Sequence, residues 1–420
     1  MRTMTGQPAA AGSEDQRGAP RAGATPGRPL LPGQPGRPDV FTFGETMVAL
    51  RGSGPLKLGG TMNVSIAGAE SNVAIGLARL GHDVRWAGAV GEDEAGQLVL
   101  RTLRAEGVGV SGASTDPGAP TGLLLFEPRL PEVTRVHYYR AGSAGSRIGA
   151  DVIQRAFSAA PPRVLHLTGI TPSLSPTARA AARLVLQRAR ESGSLVCVDV
   201  NFRARLWTAE AAAEVLREWI PFVDVLIASD DELPLCLPGG GDGGGEGSPG
   251  GGEGVKGTTG VNGDLGAEGA DGGLARWASE PAEATAAGGA GACGDAVPLP
   301  PQEVAGDPAA TVAAQARLLL DHGVGEVVVK LGAEGATAFT HGGSLHQPAK
   351  PVRAVDAVGA GDAFVAGYLS ALLDGEGPAG RLERAVTTGA FAVASPGDWE
   401  GAPTRAELGM LGAPPGTVVR

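Results

Sequence analysis

No stretch of the 420 residues approaches the roughly 18 consecutive apolar side chains of a membrane-spanning helix, which excludes a chain threaded through a bilayer by helices. Cysteine is scarce. Cys197, Cys236 and Cys293 make an odd number without metal-ligand spacing, which excludes a disulfide scaffold and fits a reducing cytoplasm. Basic charge is short as well: 34 Lys and Arg stand against 45 Asp and Glu, a net −11 that gives nucleic-acid binding no basic patch to use. Several catalytic signatures are missing. Without G-x-x-x-x-G-K-[ST] there is no Walker-type nucleotide loop, and without G-x-G-x-x-G after the first strand the usual dinucleotide anchor of oxidoreductases is gone. Nucleophilic hydrolases lose theirs too, because there is no G-x-S-x-G and none of the six histidines stands in a metal or triad pattern.

What the chain has in excess is glycine, 69 residues, and proline, 32. Residues 1–38 carry seven of each with almost no large apolar side chains, so a disordered tail is expected there. Its five arginines are followed by no apolar core of a secretory signal, and Glu14 and Asp15 weaken a transit-peptide reading. A second biased stretch, residues 237–296, reads as a disordered acidic insert. Between Gly239 and Ala296 it holds 22 glycines, nine acids and two bases, so it supplies −7 of the net charge. The acidity therefore belongs mostly to a solvated linker, and a tolerated surface insertion explains it, since closure entropy grows only logarithmically with loop length.

Residues 39–236 and 297–420 remain as one folded unit. Strand-like runs alternate with segments of helical period: helix over 71–80 ending at Gly81, strand 84–90, helix 94–106, strand 163–168, helix 175–192, strand 194–200, helix 208–219, strand 224–229, helix 309–321 and strand 326–331. Near-continuous Val, Ile and Leu strands between helices predict an α/β fold, a mostly parallel sheet covered on both faces. Residues 121–127 and 135–140 are strand-like with no helix between them. With the region around 48–58 they are expected to form a small sheet lid, spanning about 46–65 and 120–141. In such folds ligands sit beyond the carboxyl ends of the strands, and the residues there are polar: Thr168, Asn201, Arg203, Ser229, Glu232, Lys330, Gly332 and the segment 356–362.

The segment Asp356-Ala-Val-Gly-Ala-Gly-Asp362 is the most informative. Phe364, Val365, Tyr368, Leu369 and Leu372 recur at helical spacing, so a helix starts near Asp362 with glycines at its mouth. A helix N-terminus leaves backbone N–H groups unsatisfied and partially positive, and Gly359, Ala360 and Gly361 let an anion approach them closely: a phosphate cradle. Asp362 would repel a phosphate. It makes sense as the base for an attacking hydroxyl, or else simply as the helix N-cap; the sequence leaves both open.

The same residues resemble the C-terminal signature of the ribokinase-like (PfkB) sugar kinases. Gly68-Ala-Glu-Ser-Asn72-Val-Ala-Ile-Gly-Leu-Ala-Arg-Leu-Gly81 resembles the N-terminal one, with Val90-Gly-Glu-Asp-Glu-Ala-Gly96 as a third such run. Within that family the wording of Val136-His-Tyr-Tyr-Arg140, His166-Leu-Thr-Gly-Ile170, Asp199-Val-Asn-Phe-Arg203 and Gly397-Asp-Trp-Glu-Gly-Ala-Pro403 is similar to 2-keto-3-deoxygluconate kinases. The resemblance implies ATP-dependent phosphorylation of that sugar acid, with Mg²⁺ and a possible monovalent cation. Gly68, Asn72, Tyr138, Arg140 and Arg203 would meet the substrate, and Asp362 would be the base beside Gly359, Ala360 and Gly361. Asn201, Arg203, Ser229, Lys330, Gly332, Gly335, Gly359 and Gly361 would lie toward the nucleotide. Glu232 would organise Mg²⁺ through water; Ser229 replaces the Asn usual in that pattern, and Ala67 replaces a second glycine ahead of Gly68.

A carboxylate-bearing substrate supplies an independent reason for Arg140 and Arg203, since guanidinium presents paired planar donors. Three alternatives stay open: a kinase for a neutral sugar such as fructose or ribose, a non-catalytic sugar- or nucleotide-binding module, and an interaction protein that uses the tail and insert. No nucleic acid or membrane partner is expected. A homo-oligomer joined through the lid sheet is.

Overall fold

The computed structural model describes residues 37–130, 133–157, 161–238, 308–413 and 417. The expected tail up to 36 and the insert from 239 lie outside the described residues. In chain order come β1 (Val40–Phe43), β2 (Met47–Gly52), β3 (Met62–Ala67), α1 (Ala69–Arg79), β4 (Val84–Ala87), β5 (Ala89–Gly91), α2 (Glu94–Ala105), β6 (Ser114–Asp116), β7 (Leu123–Leu130), β8 (Val133–Tyr139) and α3 (Ala150–Phe157). These are followed by β9 (Val164–Thr168), α4 (Ile170–Leu174), α5 (Pro176–Ser192), β10 (Leu195–Asp199), α6 (Ala209–Trp219) and β11 (Val225–Ser229). The last third contributes α7 (Pro308–Asp321), β12 (Glu326–Lys330), β13 (Ala336–Thr340), β14 (Gly343–Gln347), α8 (Ala360–Leu373) and α9 (Pro378–Val393).

Eight strands form the main sheet in the order β14-β13-β12-β11-β10-β9-β1-β4. Neighbours from β12 to β4 pair in parallel, while β12, β13 and β14 close that edge with antiparallel pairing. Successive strand residues point to opposite faces. Thus Val327 and Val329 join Leu165, Val196 and Leu226 in one apolar layer under α5, α6 and α7, whereas Val328 joins Ile227, Cys197 and Val164 in the other, with α1 and α8. Helix starts are written locally. Asp93, Ser175 and Thr208 each accept an N-terminal amide of α2, α5 and α6, and Gly193 ends α5 in the left-handed region at φ 76°. Close packing of α8 rests on glycine: a Cβ at Gly76 would lie 2.7 Å from that of Ala366, and one at Gly367 would lie 2.2 Å from Thr388 Oγ1. No helix among the described residues is long and apolar enough to cross a membrane.

The lid is a four-stranded sheet, β3-β2-β7-β8, and both sequence-marked hairpin strands belong to it. One face carries Met47, Ala49, Ala67, Leu124 and Phe126, with Val136 against them. The Ala67 methyl is spent in this small core. Residues 84–90 depart from the expected single strand. At Gly88 the chain leaves the main sheet and β5 pairs instead with β6; the bend needs glycine, since a Cβ there would lie 2.2 Å from the Trp86 ring and 2.6 Å from the Gly44 carbonyl. The β13–β14 hairpin and α9 carry no expectation from the sequence.

Candidate active site

The carboxyl ends of β1, β9, β10, β11 and β12 and the N-termini of α1 and α8 share one edge of the sheet, and a hydrogen-bond network ties their residues together. Asp362 is 9% exposed, and its Oδ2 accepts a 2.8 Å bond from Asn72 Nδ2 on α1, 290 residues earlier. Gly359, at φ 75°, is the N-cap of α8 and makes no side-chain cap, so Asp362 does not cap the helix. Burial pushes its carboxyl up to about 7, and Asp199 adds to this; the Asn72 bond, Arg203 and Lys330 pull the other way. Of the amides expected to line the cradle, that of Ala360 bends back to the Ala357 carbonyl at 3.3 Å. The amides of Gly361 and Asp362 donate to no protein group among the described residues. A Cβ at Gly361 would meet only Lys330 Nζ, at 3.8 Å, which leaves the space before this turn open to an anion.

Lys330 ends β12 and is held by Asp199, the last residue of β10, at 2.7 Å. Burial works against its charge, but Asp199 first, then Glu232 and Asp362, outweigh it and raise its pKa. Sequence reading inspected Asn201 and Arg203 after this strand and passed over Asp199. Asn201 donates to Asp199 Oδ2 at 3.3 Å, and it holds φ 42° as the one non-glycine residue at positive φ among the described residues. Its Oδ1, like that of Asn72, is buried without a partner. Such strain and unmet polarity concentrate at functional sites. Glu232 joins two loops, accepting Phe202 N–H at 2.7 Å and Ser229 N–H at 2.9 Å, while the Ser229 hydroxyl turns to Asp231. Arg203 is exposed. Gly332 and Gly335 take φ 59° and 104° in the turn between β12 and β13, and Gly335 abuts the Gln347 carbonyl.

Toward the lid, Gly68 is the N-cap of α1, and a Cβ there would sit 2.4 Å from the Glu45 carbonyl. Close backbone packing alone therefore requires this glycine. Arg140 follows β8 and donates through Nε to Glu45 Oε2 at 2.7 Å, and Ser143 binds the other oxygen of the same carboxylate. Tyr138 is 45% exposed and lies under the Arg140 guanidinium, 5.9 Å from ring centroid to Cζ. Glu70 is buried beneath, accepting the hydroxyls of Thr168 and Thr171 at 2.6 and 2.7 Å; burial raises its pKa. Glu45 and Glu70 escaped the sequence reading. The strand ahead of Glu45 is only four residues long, and Glu70 sits inside a helical pattern.

Among the described residues no group of three or more His, Cys, Asp or Glu could hold a metal on protein ligands alone. That donor set suits Mg²⁺, which keeps waters and binds through phosphates with one or two carboxylates, and Asp199 and Glu232 are the carboxylates at hand.

A family model described as "pfkB family carbohydrate kinase" matches residues 37–238 and 301–405. A curated relative, "2-dehydro-3-deoxygluconokinase" of Thermoproteus tenax, is 31% identical over 379 residues, covering 89% of this chain and 93% of its own. The crystal structure of a PfkB protein from Polaromonas sp. JS666 is similar at 30% identity and a TM-score of 0.65, covering 89% of this chain and 99% of that one. A putative ribokinase II from E. coli, solved with ATP and Mg²⁺, shares the fold at 20% identity and a TM-score of 0.67, over 89% of this chain and 98% of its own. With the family model spanning both sides of the glycine-rich stretch and the parallel sheet, lid and glycine turn all in place, the chain belongs to the pfkB family of carbohydrate kinases.

Proposed function

We propose that the protein transfers the γ-phosphate of ATP to the terminal hydroxyl of a sugar acid, 2-keto-3-deoxygluconate, giving the 6-phosphate. The observation that carries this reading is Asp362: a buried carboxylate at about pKa 7, aimed at Asn72 instead of capping its helix, beside amides without protein acceptors. A base poised near neutral pH takes the proton of the attacking alcohol. The Gly361 and Asp362 amides, with the Lys330 ammonium, stabilise charge on the phosphoryl group in flight. Mg²⁺, held through the phosphates and water near Glu232 and Asp199, would neutralise the nucleotide's charge.

The acid rather than a neutral sugar is favoured by Arg140, whose Nη1 is left for a ligand while Glu45 holds Nε and Nη2, and by the likeness to the Thermoproteus 2-dehydro-3-deoxygluconokinase. Asn72 and Tyr138 would meet the substrate from below and from the lid. We also assign the exposed apolar side chains on the lid's edge strands, Val64, Val133 and Tyr139, to a second copy of the chain.

A panel of sugar acids and neutral sugars, assayed for ATP-dependent phosphorylation, tests this. The keto-deoxy acid should give the highest kcat/KM, and Arg140→Ala should weaken its use about 10- to 100-fold while sparing fructose or ribose, as expected for one charge-assisted bond. Equal loss on neutral and acidic substrates would sink the carboxylate role.

A further inference from the structure

Arg51 lies on lid strand β2, yet it reaches out of the lid to the loop that frames the phosphate turn. Its Nη1 donates to Asp356 at 3.0 Å and its Nη2 to Asp398 at 2.7 Å, partners 305 and 347 residues away in sequence. The guanidinium rests on the Phe126 ring, 4.0 Å from its centroid, so the lid also fixes its plane. Both carboxylates are structural parts of the turn. Asp356 opens the Asp-x-x-Gly-Ala-Gly-Asp segment and accepts Val358 N–H at 3.1 Å. Asp398 is buried, and its backbone carbonyl is so near Gly359 that a Cβ there would come within 1.8 Å. Gly359 is the N-cap of α8, three residues ahead of Asp362.

We propose that Arg51 is a positioning residue for phosphoryl transfer, a strut by which the sugar-covering lid holds the glycine turn in its working shape. The proposal rests on the reading of that turn as the phosphate cradle. The path is contiguous: the guanidinium fixes the Asp398 side chain, the Asp398 carbonyl fixes Gly359, and Gly359 fixes the amides of α8. The neighbouring loop is stitched to the lid twice more, by Trp399 Nε1 to the Ile66 carbonyl at 3.1 Å and by Ser65 to Glu400 at 2.5 Å. Without the cation, the buried Asp398 carboxyl, which burial already pushes up to about 6 with Arg51 beside it, takes up a proton, and the turn loses both guanidinium bonds that tie it to the lid. The Arg51 guanidinium is engaged by Asp356, Asp398 and the Phe126 ring, so its effect belongs in the catalytic step.

The test compares wild type, Arg51→Ala and Arg51→Lys for steady-state kinetics with ATP and the preferred sugar of the panel, with and without millimolar guanidinium chloride. The expected result is a fall in kcat of about 30- to 100-fold for Arg51→Ala with KM for both substrates within about threefold, and recovery of at least about tenfold by guanidinium, which leaves wild type unaffected. Arg51→Lys, which can reach only one carboxylate at a time, should lie between. Should Arg51→Ala not fold, Arg51→Lys carries the test through the same separation of kcat from KM. Wild-type kcat in either variant, or a loss in Arg51→Ala that guanidinium does not relieve, would overturn the strut. Asp362→Asn in the same assay keeps the two ideas apart: if it remains fully active, the reading of this turn and its carboxylate as the catalytic site fails, whatever Arg51 does.

Discussion

Asp362→Asn should make the protein more stable and nearly inactive, and the two effects should share one pH dependence. The native carboxyl titrates near 7, against about 3.9 for an unfolded Asp. Because the folded state binds the proton more tightly, the stability contributed by the protonated form is complete below the unfolded value and is lost as pH rises to about 7. Between pH 5 and 8 the wild type therefore gives up about 3 kcal/mol through this group, roughly two pKa units at 1.36 kcal/mol each. The substituted carboxamide does not titrate, and its oxygen can still take the Asn72 donor. Urea unfolding of both proteins at pH 5 and 8 should thus show the variant's advantage growing by about 2–3 kcal/mol toward alkaline pH. Turnover should move the opposite way. Only the ionised carboxylate can accept the sugar's proton, so wild-type kcat/KM should rise about tenfold from pH 6 to 8 and level off, while the variant loses about 10²–10⁴ at every pH. A stability difference that stays constant across pH would show that the carboxyl has an ordinary pKa, and near-wild-type turnover of the variant would refute its role as base.

Two further substitutions probe the neighbourhood. Gly359→Ala places a side chain at φ 75° and against the Asp398 carbonyl, so it should lower stability by at least about 2 kcal/mol and turnover about tenfold or more, read by thermal melting and initial rates; an unchanged melting temperature would mean the turn is not so confined. Lys330→Met leaves Asp199 buried and unpaired, with an expected loss of about 3–5 kcal/mol. Lys330→Met with Asp199→Asn should recover most of that stability but not the KM for ATP, and a double variant as unstable as the single one would contradict the pairing.

Much of this was legible because its signals are local. Valine-rich strands, segments of helical period ended by glycine, and a glycine cluster at the mouth of an apolar helix each follow from a few adjacent side chains, and they foretold the doubly covered sheet, the lid and the turn that carries Asp362. The split at Gly88 was not legible, because what crowds this glycine is the Trp86 ring and the Gly44 carbonyl from the loop after β1, which only the fold brings against it.

The roles of acidic residues divide along the same line. Sequence could mark Asp362 as either a helix cap or a base. The structure takes away the cap, because Gly359 holds the N-cap position; it brings Asn72 alongside from the other signature segment and buries the carboxyl so that its pKa rises. Glu45 beside Arg140, Asp199 beside Lys330, and Arg51 between Asp356 and Asp398 are likewise pairs of residues 95 to 347 positions apart. The amino-acid order by itself determined which segments become strands, helices and the glycine turn ahead of the buried helix α8, since those depend on side chains a few residues apart. Which charges neutralise one another, and which carboxylate is left with a proton affinity near neutrality, was decided only when the parallel sheet gathered its strand ends at one edge, because electrostatics and desolvation act through space.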